Sequence, residues 1–197
     1  NDDYWPLMLA LRALRAWFTA GNDKRVLVLM DRFFRYQYQN LNDHPLADWA
    51  VVRGGENMEL ALWLYNITGE RFLLELGDLI HRQTVNWTQY FLDGEILTRQ
   101  LSLHCVNLAQ GFTDPVVYYQ QGNDPKYLEA PKKAMRTIRN TIGLPTGLWG
   151  GDELLRFGEP TMGSELCTAT EMMFSLESML EVTGDVQWAD HLERVAY

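Results

Sequence analysis

The sequence predicts an all-α fold. Three observations carry that expectation. Apolar residues recur with helical spacing over long segments, four glycine turns punctuate those segments in one shared pattern, and no alternating strand pattern of useful length exists beyond Val51-Val52 and Ile96-Leu97. The turns are Ala20-Gly21-Asn22-Asp23, Thr68-Gly69-Glu70-Arg71, Gln121-Gly122-Asn123-Asp124 and Thr183-Gly184-Asp185-Val186. Glycine just past a helix end accepts the left-handed conformation required there, and a following Asn or Asp suits the next N-cap. Eight helices in four hairpins follow, at 5–20, 24–40, 56–68, 71–92, 104–121, 125–142, 164–183 and 186–197.

Each element has its own signature. The first hairpin turns at Gly21-Asn22-Asp23, between Trp17-Phe18 and Val26-Leu27. In 56–68, Met58, Leu60, Ala61, Leu62, Leu64 and Tyr65 make the segment apolar nearly all round, as in a buried helix. The run 71–92 opens with Phe72-Leu73 after the Gly69 turn. Within 104–121, Pro115 predicts a kink or break near Thr113-Asp114. In 125–142, Tyr127, Leu128, Ala134, Met135 and Ile138 share a face while Lys126, Lys132, Lys133, Arg136 and Arg139 fall elsewhere, the pattern of a solvent-facing helix. The last hairpin joins Met179-Leu180 to Trp188-Ala189 across Gly184.

The turns inside hairpins are tight, whereas the links between them, 41–55, 93–103 and 143–163, are long and rich in Gly, Pro, Trp and charge. Such alternation gathers the long links at one end of a hairpin array, the layout of an (α/α)6 toroid whose site lies beside the N-termini of its inner helices. Four hairpins are too few to close a ring of six. The expectation is a single truncated toroid segment over 1–197, cut at both Asn1 and Tyr197 and inclined to pair with another chain.

Composition excludes several function classes. The chain has 17 Lys plus Arg against 26 Asp plus Glu, a net charge of −9, which argues against nucleic-acid and anionic-membrane partners. No apolar run is long enough to span a bilayer. The two cysteines, Cys105 and Cys167, form no disulfide framework and leave the compartment open between bacterial cytosol, periplasm and exterior. Phosphate-cradling loops, Cys-x-x-Cys pairs and nucleophile elbows are absent from the sequence.

Chemistry-bearing residues gather at the starts of alternate helices: Arg53-Gly54-Gly55-Glu56-Asn57, His104-Cys105-Val106-Asn107 and Ser164-Glu165-Leu166-Cys167. Helix N-termini favour carboxylates and thiolates. Taken singly, Glu56 and Glu165 read as first-turn caps, Cys105 and Cys167 as buried filler and His104 as a hydrogen-bonded pocket residue. Convergence on one hollow would make them a site. The segment Gly147-Leu148-Trp149-Gly150-Gly151-Asp152-Glu153 through Gly158-Glu159-Pro160 adds three carboxylates on a glycine-rich loop, and glycoside cleavage needs such an acid to protonate the leaving oxygen. Trp49 and Trp149, both on long links, are the better platforms for stacking on a sugar ring, while His44, His81 and His191 read as ordinary surface or outer-helix residues.

These residues together resemble the β-L-arabinofuranosidase group of glycoside hydrolases, family 127 and its relatives. The strongest match is Gly151-Asp152-Glu153 followed by Pro160-Thr161-Met162-Gly163-Ser164-Glu165-Leu166-Cys167 and Glu171-Met172-Met173-Phe174-Ser175-Leu176-Glu177. Tyr4-Trp5-Pro6-Leu7-Met8, Asp48-Trp49 with Arg53-Gly54-Gly55-Glu56-Asn57, and His104 with Val106-Asn107 support it. The resemblance implies a retaining glycosidase for L-arabinofuranosides or related plant-polysaccharide sugars, with a cysteine nucleophile held on zinc by one Glu and three Cys. Glu165 and Cys167 would be two of those ligands. The acid/base would be Glu153 or Glu159, and His104, Asn107, Glu56, Asn57, Trp49 and Trp149 would contact the sugar. The family's nucleophile belongs to an adjacent Cys-Cys pair, and the sequence 1–197 holds none. The isolated segment is therefore expected to be inactive. A non-catalytic sugar-binding helper of the same fold and a helical scaffold for protein partners are the alternatives.

Overall fold

The computed structural model describes residues 3–94, 96, 104–157 and 159–197. Most of the 93–103 link, Leu97 of the weak Ile96-Leu97 pair and Gly158 of the glycine-rich loop lie outside the described residues. All regular structure among those described is helical, with only isolated bridges besides, and no described helix is long and apolar enough to cross a membrane. The chain divides into two compact units, Asn1–Val85 and Asn86–Tyr197.

The first unit holds α1 (Trp5–Gly21), α2 (Lys24–Asn40), the short α3 (Trp49–Val52), α4 (Gly54–Thr68) and α5 (Phe72–Gln83). At the first turn the left-handed residue is Asn22 (φ 52°) rather than Gly21, and the Asp23 side chain accepts from the Arg25 amide at 3.0 Å to cap α2. Asn tolerates this conformation because its short polar side chain bonds locally. Helix α4 packs against α1, α2 and α5 and is buried nearly all round, as its composition predicts. It starts at Gly54, two residues before the predicted position. A Cβ on Gly54 would stand 1.9 Å from Thr84 Oγ1, so only glycine admits this approach. The predicted 71–92 helix is two helices. Thr84 is extended, its hydroxyl donates to the Ile80 carbonyl at 2.8 Å, the Val85 amide turns away to the Val51 carbonyl at 2.9 Å, and Asn86 caps a new helix.

The second unit comprises α6 (Trp87–Asp93), α7 (Cys105–Gly111), α8 (Thr113–Gly122), α9 (Lys126–Thr141), a 3₁₀ turn Pro160–Met162, α10 (Leu166–Thr183) and α11 (Val186–Ala196). The predicted 104–121 helix breaks at Phe112, one residue before the expected place. Pro115 has no amide to offer the Gly111 carbonyl, so the ladder is interrupted between those residues. Helix α10 packs on α7, α8 and α11, and α9 on α6 and α8. Ser175 donates to the Ala109 carbonyl at 2.7 Å and shares a 2.8 Å hydrogen bond with Thr113, which fixes α10 against the α7–α8 break.

An aromatic series runs through this core. Trp87 meets Phe91 at 5.5 Å, Phe91 meets Phe112 at 4.8 Å, and Phe112 stacks on Trp149 at 6.2 Å between ring centroids. The last contact pins the long loop after α9 to the α7–α8 break. From the other side His191, read from sequence as a surface residue, is buried and its Nε2 lies 2.7 Å from the Gly147 carbonyl oxygen, which it meets as a donor.

Two outcomes follow. Arg12 Nη2 pairs with Glu56 Oε1 at 2.8 Å, and Glu56 is fully buried. Arg12→Met would take a guanidinium away from this buried carboxylate and is expected to lower stability by about 3–5 kcal/mol in urea denaturation at pH 7.5. Burial, opposed by the Gly147 carbonyl and aided by Arg194 and Arg139, holds the His191 pKa below its ordinary value. The unfolded chain then takes up a proton near pH 6.5 that the folded one resists, so this contribution is complete above that pH and is lost as pH falls through it. The stability difference between pH 7.5 and 5.5 is expected to be smaller in His191→Gln, whose amide retains a donor for Gly147.

Candidate functional site

Within the second unit, three segments far apart in sequence are laced together by backbone hydrogen bonds. The Cys105 amide donates to the Glu153 carbonyl at 2.7 Å, and His104 forms an antiparallel bridge with Leu154. On the other side of the loop the Gly151 amide donates to the Gly163 carbonyl at 3.1 Å, and Gly151 forms a parallel bridge with Ser164. The loop 151–154 thus lies between the start of α7 and the approach to α10. Gly151 makes this possible: its φ is 128°, and a Cβ there would stand 2.2 Å from the Leu154 oxygen and 2.8 Å from Cys105 Sγ.

His104 is the N-cap of α7. Its Nδ1 accepts from the Val106 amide at 3.2 Å, which leaves Nε2 as the ring's second polar atom. Asn107, one turn on, is buried. At the start of α10, Glu165 is the N-cap residue by position but its side chain makes no capping bond, and its Oε2 is buried without a hydrogen-bond partner among the described residues. Cys167 is exposed and donates its thiol proton to the Glu165 carboxylate.

Both thiols are held protonated. Burial, with the carboxylates of Glu165 and Asp152 in reach, pushes Cys105 up to about 12. Local desolvation and then the hydrogen bond to Glu165 raise Cys167, against the lowering pull of the Cys167 and Thr168 amides at the start of α10. Cys105, read from sequence as filler away from the matching position, therefore stands within electrostatic reach of Glu165 and Cys167. The amide bond to Glu153, the His104–Leu154 bridge and the approach of Cys105 Sγ to the Gly150 carbonyl at 3.9 Å bring it there, and adjacency to His104 was the hint in the sequence. Among the described residues no three His, Cys, Asp or Glu side chains are grouped closely enough to hold a metal ion.

The model of the GH127 β-L-arabinofuranosidase catalytic domain matches residues 1–197. The chain belongs to that family. A crystal structure of a GH127 β-L-arabinofuranosidase from Geobacillus stearothermophilus T6 superimposes with a TM-score of 0.68 at 20% identity, over 95% of this chain and 34% of that one. This likeness shows the fold, an all-α array of the kind expected for part of a toroid, and the chain spans about a third of that enzyme's length. Among curated proteins none matches.

The remaining sequence-predicted residues of this GH127 chain divide as follows. Glu153 and Glu159 are both exposed, on either arm of the glycine-rich loop. Trp149 is a correction: with no exposed surface and its ring stacked on Phe112, it is a core residue that anchors the loop and offers no face to a sugar. Trp49, Glu56 and Asn57 belong to the first unit. Trp49 is 43% exposed and its ring lies 4.8 Å from the Arg53 guanidinium, whose other neighbour is Trp5 at 4.4 Å. Glu56 is committed to Arg12, whereas the fully buried Asn57 amide has no hydrogen-bond partner for either its nitrogen or its oxygen among the described residues.

The thiol environment can be read by alkylation. In chelator-treated protein at pH 8, iodoacetamide is expected to leave Cys105 unmodified and to label Cys167 slowly. Glu165→Gln removes the carboxylate that raises the Cys167 pKa, so the thiolate fraction rises and labelling at that position should accelerate a few-fold, read by peptide mass spectrometry.

Proposed function

We propose that this segment supplies the acid/base side and half of the metal shell of a retaining glycoside hydrolase active on L-arabinofuranosides or closely related sugars. The observation that carries the reading is the Glu165 carboxylate, with one oxygen buried and unpartnered beside the Cys167 thiol, at the helix start that the Gly151 loop is bonded to. An orphaned carboxylate oxygen next to a thiol is a donor pair suited to zinc, and Glu165 and Cys167 would provide two of the four positions of a tetrahedral site. When bound, zinc would keep a cysteine sulfur as thiolate at neutral pH, the form needed for attack on an anomeric carbon.

This chain's own residues account for the other half of the reaction. A glycosidic oxygen leaves as an alcohol only if it is protonated as the bond breaks, and a carboxylic acid must then act as base toward the water that releases the sugar. Glu153 is our choice for that group. Its backbone is clamped to Cys105, and its loop is bonded to Gly163 directly before Ser164-Glu165. Glu159, beyond Gly158, is the second candidate. His104 and Asn107, three residues apart at the start of α7, would hydrogen-bond sugar hydroxyls. Within the first unit, Glu56 serves chiefly to hold α4 to α1, and the buried Asn57 amide keeps hydrogen-bonding capacity unmet among the described residues.

The test is kinetic and uses the full-length protein with nitrophenyl and alkyl β-L-arabinofuranosides. Glu153→Gln is expected to slow the alkyl glycoside by about 10²–10⁴-fold and the nitrophenyl one far less, because a good leaving group needs little protonation. Glu165→Gln and Cys167→Ser should each lower bound zinc, measured by mass spectrometry of the metal, together with both activities. Equal losses on both substrates in Glu153→Gln, with the differential loss found instead in Glu159→Gln, would move the acid/base role to Glu159. Sugar binding without turnover of either glycoside would favour the helper reading.

A further inference from the structure

A second concavity lies on the other side of the loop that builds the candidate site. It occupies about 270 Å³ between the end of α9, the 143–148 turn and the last turns of α11. Its apolar lining includes Met135, Ile138, Leu144 and Leu148, and two cations, Arg139 and Arg194, stand at it. Neither guanidinium has an ion-pair or hydrogen-bond partner among the described residues. What the hollow adds is convergence: two such arginines, from the ends of two different helices, stand at one apolar concavity.

The helix dipole favours a cation in the last turn of each helix. It does not require an apolar hollow between them. The Arg194 stem packs on Gly147, whose Cβ, if present, would lie 3.3 Å from Arg194 Cδ and 3.2 Å from His191 Nε2. His191 directs Nε2 to the Gly147 carbonyl and so fixes the floor of the hollow without competing for an anion.

We propose that this hollow is a binding site for a small amphiphilic monocarboxylate, with an apolar body about the size of a substituted phenyl ring against Ile138, Leu144 and Leu148 and the carboxylate between Arg139 and Arg194. Apolar walls with a few convergent polar groups are the general form of a small-molecule site, and this one lies just below the usual volume range of about 300–1,000 Å³. Guanidinium forks match a carboxylate in both shape and charge. The site is separate from the Glu165–Cys167 pair and does not rest on the reading of that pair.

The probe is 4-hydroxycinnamate, titrated calorimetrically into the full-length protein, with its methyl ester and inorganic phosphate as comparisons. Saturable binding of the carboxylate is expected, with the ester and phosphate each at least tenfold weaker. In Arg139→Gln/Arg194→Gln the carboxylate should bind roughly tenfold or more weakly, the loss expected for removing charge-assisted hydrogen bonds. Both positions are exposed, so the variant should fold, and an unchanged circular dichroism spectrum and melting temperature check this. Binding of ester and acid with equal affinity, retention of carboxylate affinity in the double variant, phosphate binding as tight as the carboxylate, or no saturable heat with any probe would each overturn the proposal.

Discussion

The candidate site depends on one close approach of backbone to backbone. At Gly151 the chain takes a φ of 128° and passes so near the Leu154 carbonyl that a single methyl group would collide with it. That compression lets the loop bond forward to Gly163 and lets Glu153 offer its carbonyl to Cys105. Three segments far apart in sequence are thereby brought to one place chiefly by backbone bonds, with the Cys105 thiol adding a contact to the Gly150 carbonyl at 3.9 Å. The side chains of Glu153, Glu165 and Cys167 take no part in that joining, because backbone groups, obliged to find partners in any fold, supply most of it.

The loop is braced by two quite different contacts. Trp149 enters the aromatic core of the second unit and stacks on Phe112 at the place where Pro115 interrupts the α7–α8 ladder. His191 reaches from α11 to the Gly147 carbonyl. A tryptophan first read as a sugar platform is thus the loop's apolar anchor, and a histidine first read as superficial is its polar one. In the first unit the same economy appears in α4, where Glu56 looks like a free acid beside a glycine turn but is consumed by an ion pair with Arg12. Asn57, its neighbour, is the residue with hydrogen-bonding capacity to spare.

Electrostatics at the start of α10 run against the helix dipole. The amides there favour a thiolate at Cys167, yet desolvation and the Glu165 carboxylate outweigh them and keep the proton on sulfur. A divalent cation reverses that logic, since it stabilises both anions at once. The arrangement is poor for a free nucleophile, and under the proposed function the two side chains would serve as a pair of ligands.

Helical class, the places of the four hairpin turns, the buried character of α4 and the break enforced by Pro115 were all legible in the sequence, because each depends on local periodicity or on the conformational limits of glycine, asparagine and proline, although at two turns the left-handed residue is Asn22 or Asn123 and not the glycine before it. The motif around Glu165 and Cys167 was legible for the same reason: both side chains leave one short stretch at a helix start. What the sequence could not give was burial and partnership at long range. Nothing near Trp149 says that Phe112 will take its face, nothing near Glu56 names Arg12, and nothing near Cys105 places it within reach of Glu165. Those outcomes are decided by which segments pack together, a property of many weak contacts summed over the whole unit that no local pattern encodes.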